Sequence, residues 1–145
     1  MRTFILTVSL LILSSLAAQA ANQVRYAPLT PELLSSGVKI IDIRTEKEWR
    51  ETGVVKGALG LTFFREDKSY DAEAFLAKLK RYVTPNDRIA IICRTGNRSD
   101  KVSRYLAHHG FTSVTNVDGG VTRAKEAGVR LVPFPQDNAS FTAVR

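Results

Sequence analysis

Apolar positions along the chain fall into two patterns. Val38–Ile43 and Ile89–Ile92 are near-continuous runs rich in β-branched side chains, as expected of strands buried on both faces. Val114–Val117 reads as a third strand and Ala58–Leu61 as a brief further one. Between them the period lengthens. Phe75, Leu76, Leu79 and Tyr82 predict an amphipathic helix over 71–82. Val102, Tyr105 and Leu106 predict another over 99–109, stopped by Gly110. Thr30-Pro31-Glu32 marks a short helix, with a capping hydroxyl followed by proline at the first helical position, and it ends near Gly37. Thr45-x-x-Glu48 is a capping box for a helix over 46–51, and Gly119-Gly120 opens a last short helix that runs to Gly128. Two-sided strands alternating with helices predict one α/β domain, a central and mostly parallel sheet flanked by helices in three layers.

The first twenty residues follow neither pattern. Met1-Arg2 gives a positive start, Phe4 to Leu16 is apolar, and Ala18-Gln19-Ala20 supplies a small-x-small cleavage pattern before Ala21. This predicts a signal peptide over 1–20 and an exported protein, periplasmic or secreted. The run is shorter than the ~20 apolar residues of a spanning helix, so no stable membrane insertion is expected after cleavage. A lipid anchor is not expected either, because no cysteine stands near the cleavage point. The domain is expected over 26–132, with 133–145 as a loose C-terminal tail.

Composition narrows the chemistry. With 145 residues, 44% of them hydrophobic and 24% charged, the chain suits one globular domain. Its one cysteine excludes an internal disulfide and the paired-cysteine zinc sites. The His108-His109 pair lacks a third ligand, so no metal and no cofactor is expected. The formal charge is +7, falling to +6 once Arg2 leaves with the leader. Bases are interleaved with acids everywhere except Lys78-Leu79-Lys80-Arg81, the solvated end of a helix, so no nucleic-acid partner is expected.

The cysteine ends the second buried strand. Cys93-Arg94-Thr95-Gly96-Asn97-Arg98-Ser99 then leads into a helix, at the carboxyl edge of a parallel sheet, where such folds bind ligands. Gly96 lets the loop curl with its N–H groups inward, and a helix N-terminus adds partial positive charge. Arg94 and Arg98 bring two permanent cations. These surroundings suit a bound anion and lower a thiol from its ordinary ~8.5. Cys93 therefore reads as a reactive nucleophile, with Arg94, Thr95, Gly96, Asn97 and Arg98 as its binding loop. Ser99 stands in support at the start of the helix. Asp42 and Arg44, at the end of the first buried strand, read as a structural ion pair on the same edge. Glu48 reads as a capping residue, and Trp49, Phe63 and Phe64 as packing residues.

The loop at 93–99 resembles the active-site loop of single-domain rhodaneses, which are sulfurtransferases. Asp42-Ile43-Arg44-Thr45, Glu48-Trp49 and Gly53-Val54-Val55-Lys56-Gly57-Ala58 are similar to the family's first signature. Asp118-Gly119-Gly120, followed by Gly128, is similar to its closing segment. Val54 stands where the family usually has histidine, and Ala124 where it usually has tryptophan. The resemblance implies that Cys93 takes a sulfur from a small anionic donor such as thiosulfate. It would hold that sulfur as a persulfide and pass it to a thiol or to cyanide. Backbone N–H groups of Thr95, Gly96, Asn97 and Arg98 would stabilise the persulfide. Two alternatives stand beside this: a non-catalytic module that carries sulfur or binds a partner protein, and a cysteine-dependent phosphatase. The phosphatase is disfavoured because related phosphatases have one more residue between the cysteine and the arginine than this loop.

Overall fold

In the computed structural model, which describes residues 23–134 and 141–144, the two uninterrupted apolar runs form the middle of a sheet. The strands are β1 (Arg25–Ala27), β2 (Lys39–Asp42), β3 (Val54–Val55), β4 (Leu59–Gly60), β5 (Arg88–Ile92), β6 (Ser113–Val117), β7 (Leu131–Val132) and β8 (Thr142–Ala143). Six of them pair in the order β1-β6-β5-β2-β4-β8, every neighbouring pair parallel. A separate antiparallel pair joins β3 to β7. The helices are α1 (Pro31–Ser35), α2 (Glu46–Thr52), α3 (Ala72–Leu79), α4 (Asn97–His108) and α5 (Gly120–Glu126). The leader expected at 1–20 lies outside the described residues. Among the described residues no helix is long and apolar enough to cross a membrane.

Side-chain alternation along β5 divides the core in two. Ile89, Ile91 and Cys93 face a cluster with Phe75 and Leu79 of α3 and Val102 and Leu106 of α4. Ala90 and Ile92 face the other cluster, with Trp49 of α2 and Val121 and Ala124 of α5. Strands covered on both sides need apolar residues at both parities, which is why β2 and β5 read as unbroken runs. The cysteine is thus placed by strand geometry, on the α3–α4 face of the sheet at the carboxyl end of a central strand. Val54 and Ala124, the two departures from the family pattern, are fully buried core residues.

Local signals set the helix starts. Thr30 Oγ1 accepts from the Leu33 N–H, and the Thr45–Glu48 box closes in both directions at α2. The helix predicted over 71–82 ends at Leu79, and Lys80–Tyr82 form a turn that carries Val83 back to the core.

The expectation of a loose tail is corrected at 141–144. Phe141 is buried edge-on to Trp49, with ring centroids 5.1 Å apart, and Thr142–Ala143 adds β8 beside β4. Phe134 stacks on the same tryptophan at 5.7 Å. An isolated aromatic residue carries no period, yet burying one is worth about 1.5–3 kcal/mol and can hold a short edge strand.

Asp42 and Arg44, both without exposed surface, end β2 as an ion pair. Arg44 Nε donates to Asp42 Oδ1 at 3.0 Å and Nη2 to Oδ2 at 2.7 Å. The remaining guanidinium donors reach Thr52 Oγ1 at 2.6 Å and the Gly53 carbonyl at 2.9 Å. The pair thereby ties the end of β2 to the end of α2. A buried pair is costly to break from one side, because the remaining charge is left uncompensated. Asp42→Ala is expected to destabilise the fold by about 3–5 kcal/mol. Denaturant unfolding of that variant measures it, and a loss below ~1 kcal/mol would contradict this role.

Candidate active site

The chain turns sharply after β5. Gly96, at φ +99°, caps α4 in the left-handed region, and the turn brings its own N–H to 3.1 Å from Cys93 Sγ. Ser99 Oγ lies 3.4 Å from the same sulfur. Cys93 is only 1% exposed. Burial pushes its thiol up. The Ser99 hydroxyl, once its proton turns to the sulfur, and the backbone N–H groups of Ser99, Gly96 and Thr95 pull it down and prevail, leaving it below the ordinary thiol value.

The loop is held from behind. The Cys93 carbonyl accepts from the Val121 N–H at 2.9 Å, and the Arg94 carbonyl accepts from the Thr122 N–H at 3.2 Å and its hydroxyl at 3.1 Å. These donors belong to the first turn of α5, whose N–H groups have no partner within their own helix. The approach is so close that a Cβ on Gly120 would run into the carbonyl oxygens of Cys93 and Arg94. A Cβ on Gly96 would meet the Gly119 nitrogen at 3.0 Å. Two of the glycines that mark the sequence pattern are the contact between loop and closing segment.

The expected loop residues separate by environment. Arg94, Thr95 and Asn97 have exposed side chains, while Gly96 and Ser99 are buried and Arg98 is half-buried. Arg94 forms no ion pair among the described residues. Arg98 is bound at both ends of its fork by Glu48, Nη2 to Oε1 at 2.6 Å and Nη1 to Oε2 at 2.9 Å. Burial pushes the Glu48 carboxyl up, but Arg98 and the Thr45 N–H outweigh it and hold it below its usual range. Glu48 therefore does two jobs. It completes the capping box of α2 and neutralises one of the two cations of the loop.

Two residues of the site carry no local sequence signal for it. Glu48 has a complete local reading as a cap, because its partner stands 50 residues away and no local pattern joins them. Asn116, on β6 and 4% exposed, holds Ser99 Oγ at 2.6 Å from its Oδ1 and donates from Nδ2 to the Gly96 carbonyl at 3.3 Å. Its signal was a lone amide in an apolar strand, two positions before Asp118-Gly119-Gly120. Beside the Glu48–Arg98 pair a groove of about 830 Å³ opens, lined in part by Phe64, Lys47, Arg65, Lys68 and Lys101. The arrangement can hold an ionised sulfur by N–H donors, and the exposed Arg94 and the bases of the groove offer charge to a small anion. Among the described residues there is no cluster of metal-ligating side chains.

Comparison with known proteins gives the family of the chain. The sequence model of the Rhodanese-like domain matches residues 30–127. "Thiosulfate sulfurtransferase 16, chloroplastic" of Arabidopsis thaliana is 29% identical over 100 residues, covering 68% of this chain and 82% of the relative. "Thiosulfate sulfurtransferase 18" of the same plant is 30% identical over 92 residues, covering 61% and 67%. The crystal structure of a Rhodanese-like domain protein from Staphylococcus aureus superposes with a TM-score of 0.54 at 25% identity, covering 74% of this chain and 98% of that one. A family match over most of the described domain, a parallel α/β fold and a cysteine at the mouth of its central strand lead to one conclusion: this chain belongs to the rhodanese-like domain family.

Proposed function

We propose that the protein is a sulfurtransferase that carries a sulfane sulfur on Cys93. The observation that supports this most is the sulfur itself. It accepts an N–H from Gly96 within its own loop and lies beside the Ser99 hydroxyl, so the anion is stabilised where it forms. The Cys93 thiolate attacks the outer sulfur of thiosulfate. A new S–S bond forms as the old one breaks, and sulfite leaves with the electron pair. The acceptor, cyanide or a thiolate, then attacks the outer sulfur of the persulfide. The Cys93 thiolate leaves and is regenerated. No external oxidant or reductant enters, and no general base is required once the thiol is ionised. Arg94 meets the donor's negative charge, and Arg98 adds what Glu48 leaves uncancelled.

Protein lacking residues 1–20, assayed with thiosulfate and cyanide, is expected to release thiocyanate, and Cys93→Ala is expected to release none. Thiosulfate treatment without acceptor should add one sulfur atom to the intact mass. A persulfide with no turnover would leave a carrier module in place of an enzyme, and neither signal would remove the sulfurtransferase reading.

Arg98 and Glu48 should act in opposite directions on the donor. Arg98→Ala removes a charge-assisted contact worth about 1.5–3 kcal/mol and should lower kcat/KM for thiosulfate accordingly. Glu48→Gln keeps the cap but removes the cancelling charge. At an effective separation of ~8 Å that is worth on the order of 1 kcal/mol, so KM should fall roughly fivefold. Steady-state kinetics decide this, and an unchanged KM in both variants would take Arg98 out of donor binding.

We also propose that the protein acts outside the cytoplasm after loss of its leader. The intact mass of protein from the periplasmic or culture fraction should correspond to a chain beginning at Ala21. Recovery of the uncleaved chain from the cytoplasm alone would overturn the export.

A further inference from the structure

Ser99 has one hydroxyl proton and three acceptors around it. Asn116 Oδ1 is 2.6 Å away, the Gly96 carbonyl 3.0 Å and Cys93 Sγ 3.4 Å. A hydroxyl donates once, so these contacts compete. The Gly96 carbonyl already accepts from the Asp100 N–H at 3.0 Å and from Asn116 Nδ2 at 3.3 Å, which uses both of its lone pairs. The contest is between the amide and the sulfur.

The distances give the winner in this arrangement. A separation of 2.6 Å is short for N–H···O but ordinary for O–H···O, so Oδ1 faces Ser99 as the acceptor and Nδ2 faces the carbonyl. With its proton on Asn116, Ser99 presents only lone pairs to Cys93, an arrangement that suits a neutral thiol donating its own S–H. An ionised sulfur needs the opposite. Ser99 must turn its proton to Sγ, and Asn116 Oδ1, nearly buried, loses its donor. Turning the amide over would restore a donor to Ser99 but set Oδ1 against the Gly96 carbonyl.

We propose that Asn116 is a positioning residue that competes with Cys93 for the single hydroxyl proton of Ser99 and so governs how readily the sulfur ionises. The charged groups around the loop leave this role open. Arg98 is bound by Glu48 of α2, Asp42 and Arg44 of β2 bind each other, and Asp118 binds Arg123 at the start of α5. Arg94 stands in solvent. The adjustable element beside the sulfur is the hydroxyl. The inference rests on Cys93 as the sulfur-bearing nucleophile, but its test reads ionisation and needs no sulfur transfer, so the two can fail separately.

Because the chain has one cysteine, the ultraviolet band of the thiolate reports Cys93 directly, with Cys93→Ala as the baseline. Titration of the untreated protein should inflect below the ordinary thiol value of ~8.5. Asn116→Leu, close in volume but without an acceptor, leaves the hydroxyl to the sulfur and to the Gly96 lone pair that Nδ2 vacates. An ionised sulfur is the stronger acceptor, so the inflection should move down by about one pH unit, a tenfold gain in thiolate at a fixed pH on the rising limb. Ser99→Ala should move it up, and Asn116→Leu combined with Ser99→Ala should titrate like Ser99→Ala alone. An unmoved or raised inflection in Asn116→Leu overturns the proposal. So does an equal downward shift when Ser99 is absent. Should Asn116→Leu not fold, the near-isosteric Asn116→Asp strengthens the competing acceptor and must raise the inflection, and by more than in the Ser99→Ala background, where only the added charge acts. A lowered or unmoved value there overturns the proposal equally.

Discussion

A peptide unit is planar, and its N–H and C=O point to opposite sides. A loop that turns its N–H groups toward one sulfur must therefore turn carbonyls away from it, and those carbonyls need donors of their own. The 93–96 loop meets this through α5. The N–H groups of Val121 and Thr122, unused by their own helix, take the outward carbonyls of Cys93 and Arg94. Two sets of unsatisfied backbone groups thus complete each other. The rest of the site follows from that seam. It requires glycine at 120, because any side chain there would strike the carbonyls, and it fixes the closing segment against the loop whatever the surface side chains are. Backbone supplies the cradle, and only the sulfur, one hydroxyl and one amide are left for side chains to provide.

The charges are quieter than the count of +7 implies. Arg98 is held by Glu48, Arg44 by Asp42, and Arg123 by Asp118. What remains at the mouth of the loop is one exposed guanidinium, Arg94, and the basic side of the neighbouring groove, where Glu51 and Glu66 are interspersed. A mouth of this kind favours anions by a modest local field. It leaves stabilisation of the sulfur to short-range donors, which salt screens far less.

The fold was legible wherever burial on two faces produced a long signal. The β2 and β5 runs, the capping residues Thr30 and Thr45, and the period of α3 and α4 all appear in the structure within a few residues of where the pattern put them. The loop was legible too, since its chemistry is contiguous in sequence. What escaped was short or distant. β1 is three residues with an exposed face, and β3, β7 and β8 are two residues each, too brief for any period to emerge. Phe141 was hidden because one aromatic residue among polar neighbours looks the same whether it packs or dangles. Glu48 carried a complete local explanation, which concealed its partner on α4. Asn116 is a lone amide in an apolar strand, and no local pattern joins it to Ser99, 17 residues earlier in the chain.

The depth of Cys93 has a geometric consequence. At rest the sulfur sits under the loop with almost no surface open to solvent. Under the proposed function, loading one sulfur lengthens the side chain by a single S–S bond, about 2 Å. On that reading the empty side chain is hidden and the loaded one reaches one bond further from the strand. Depth alone would then sort the two half-reactions, offering cargo outward only when there is cargo to give.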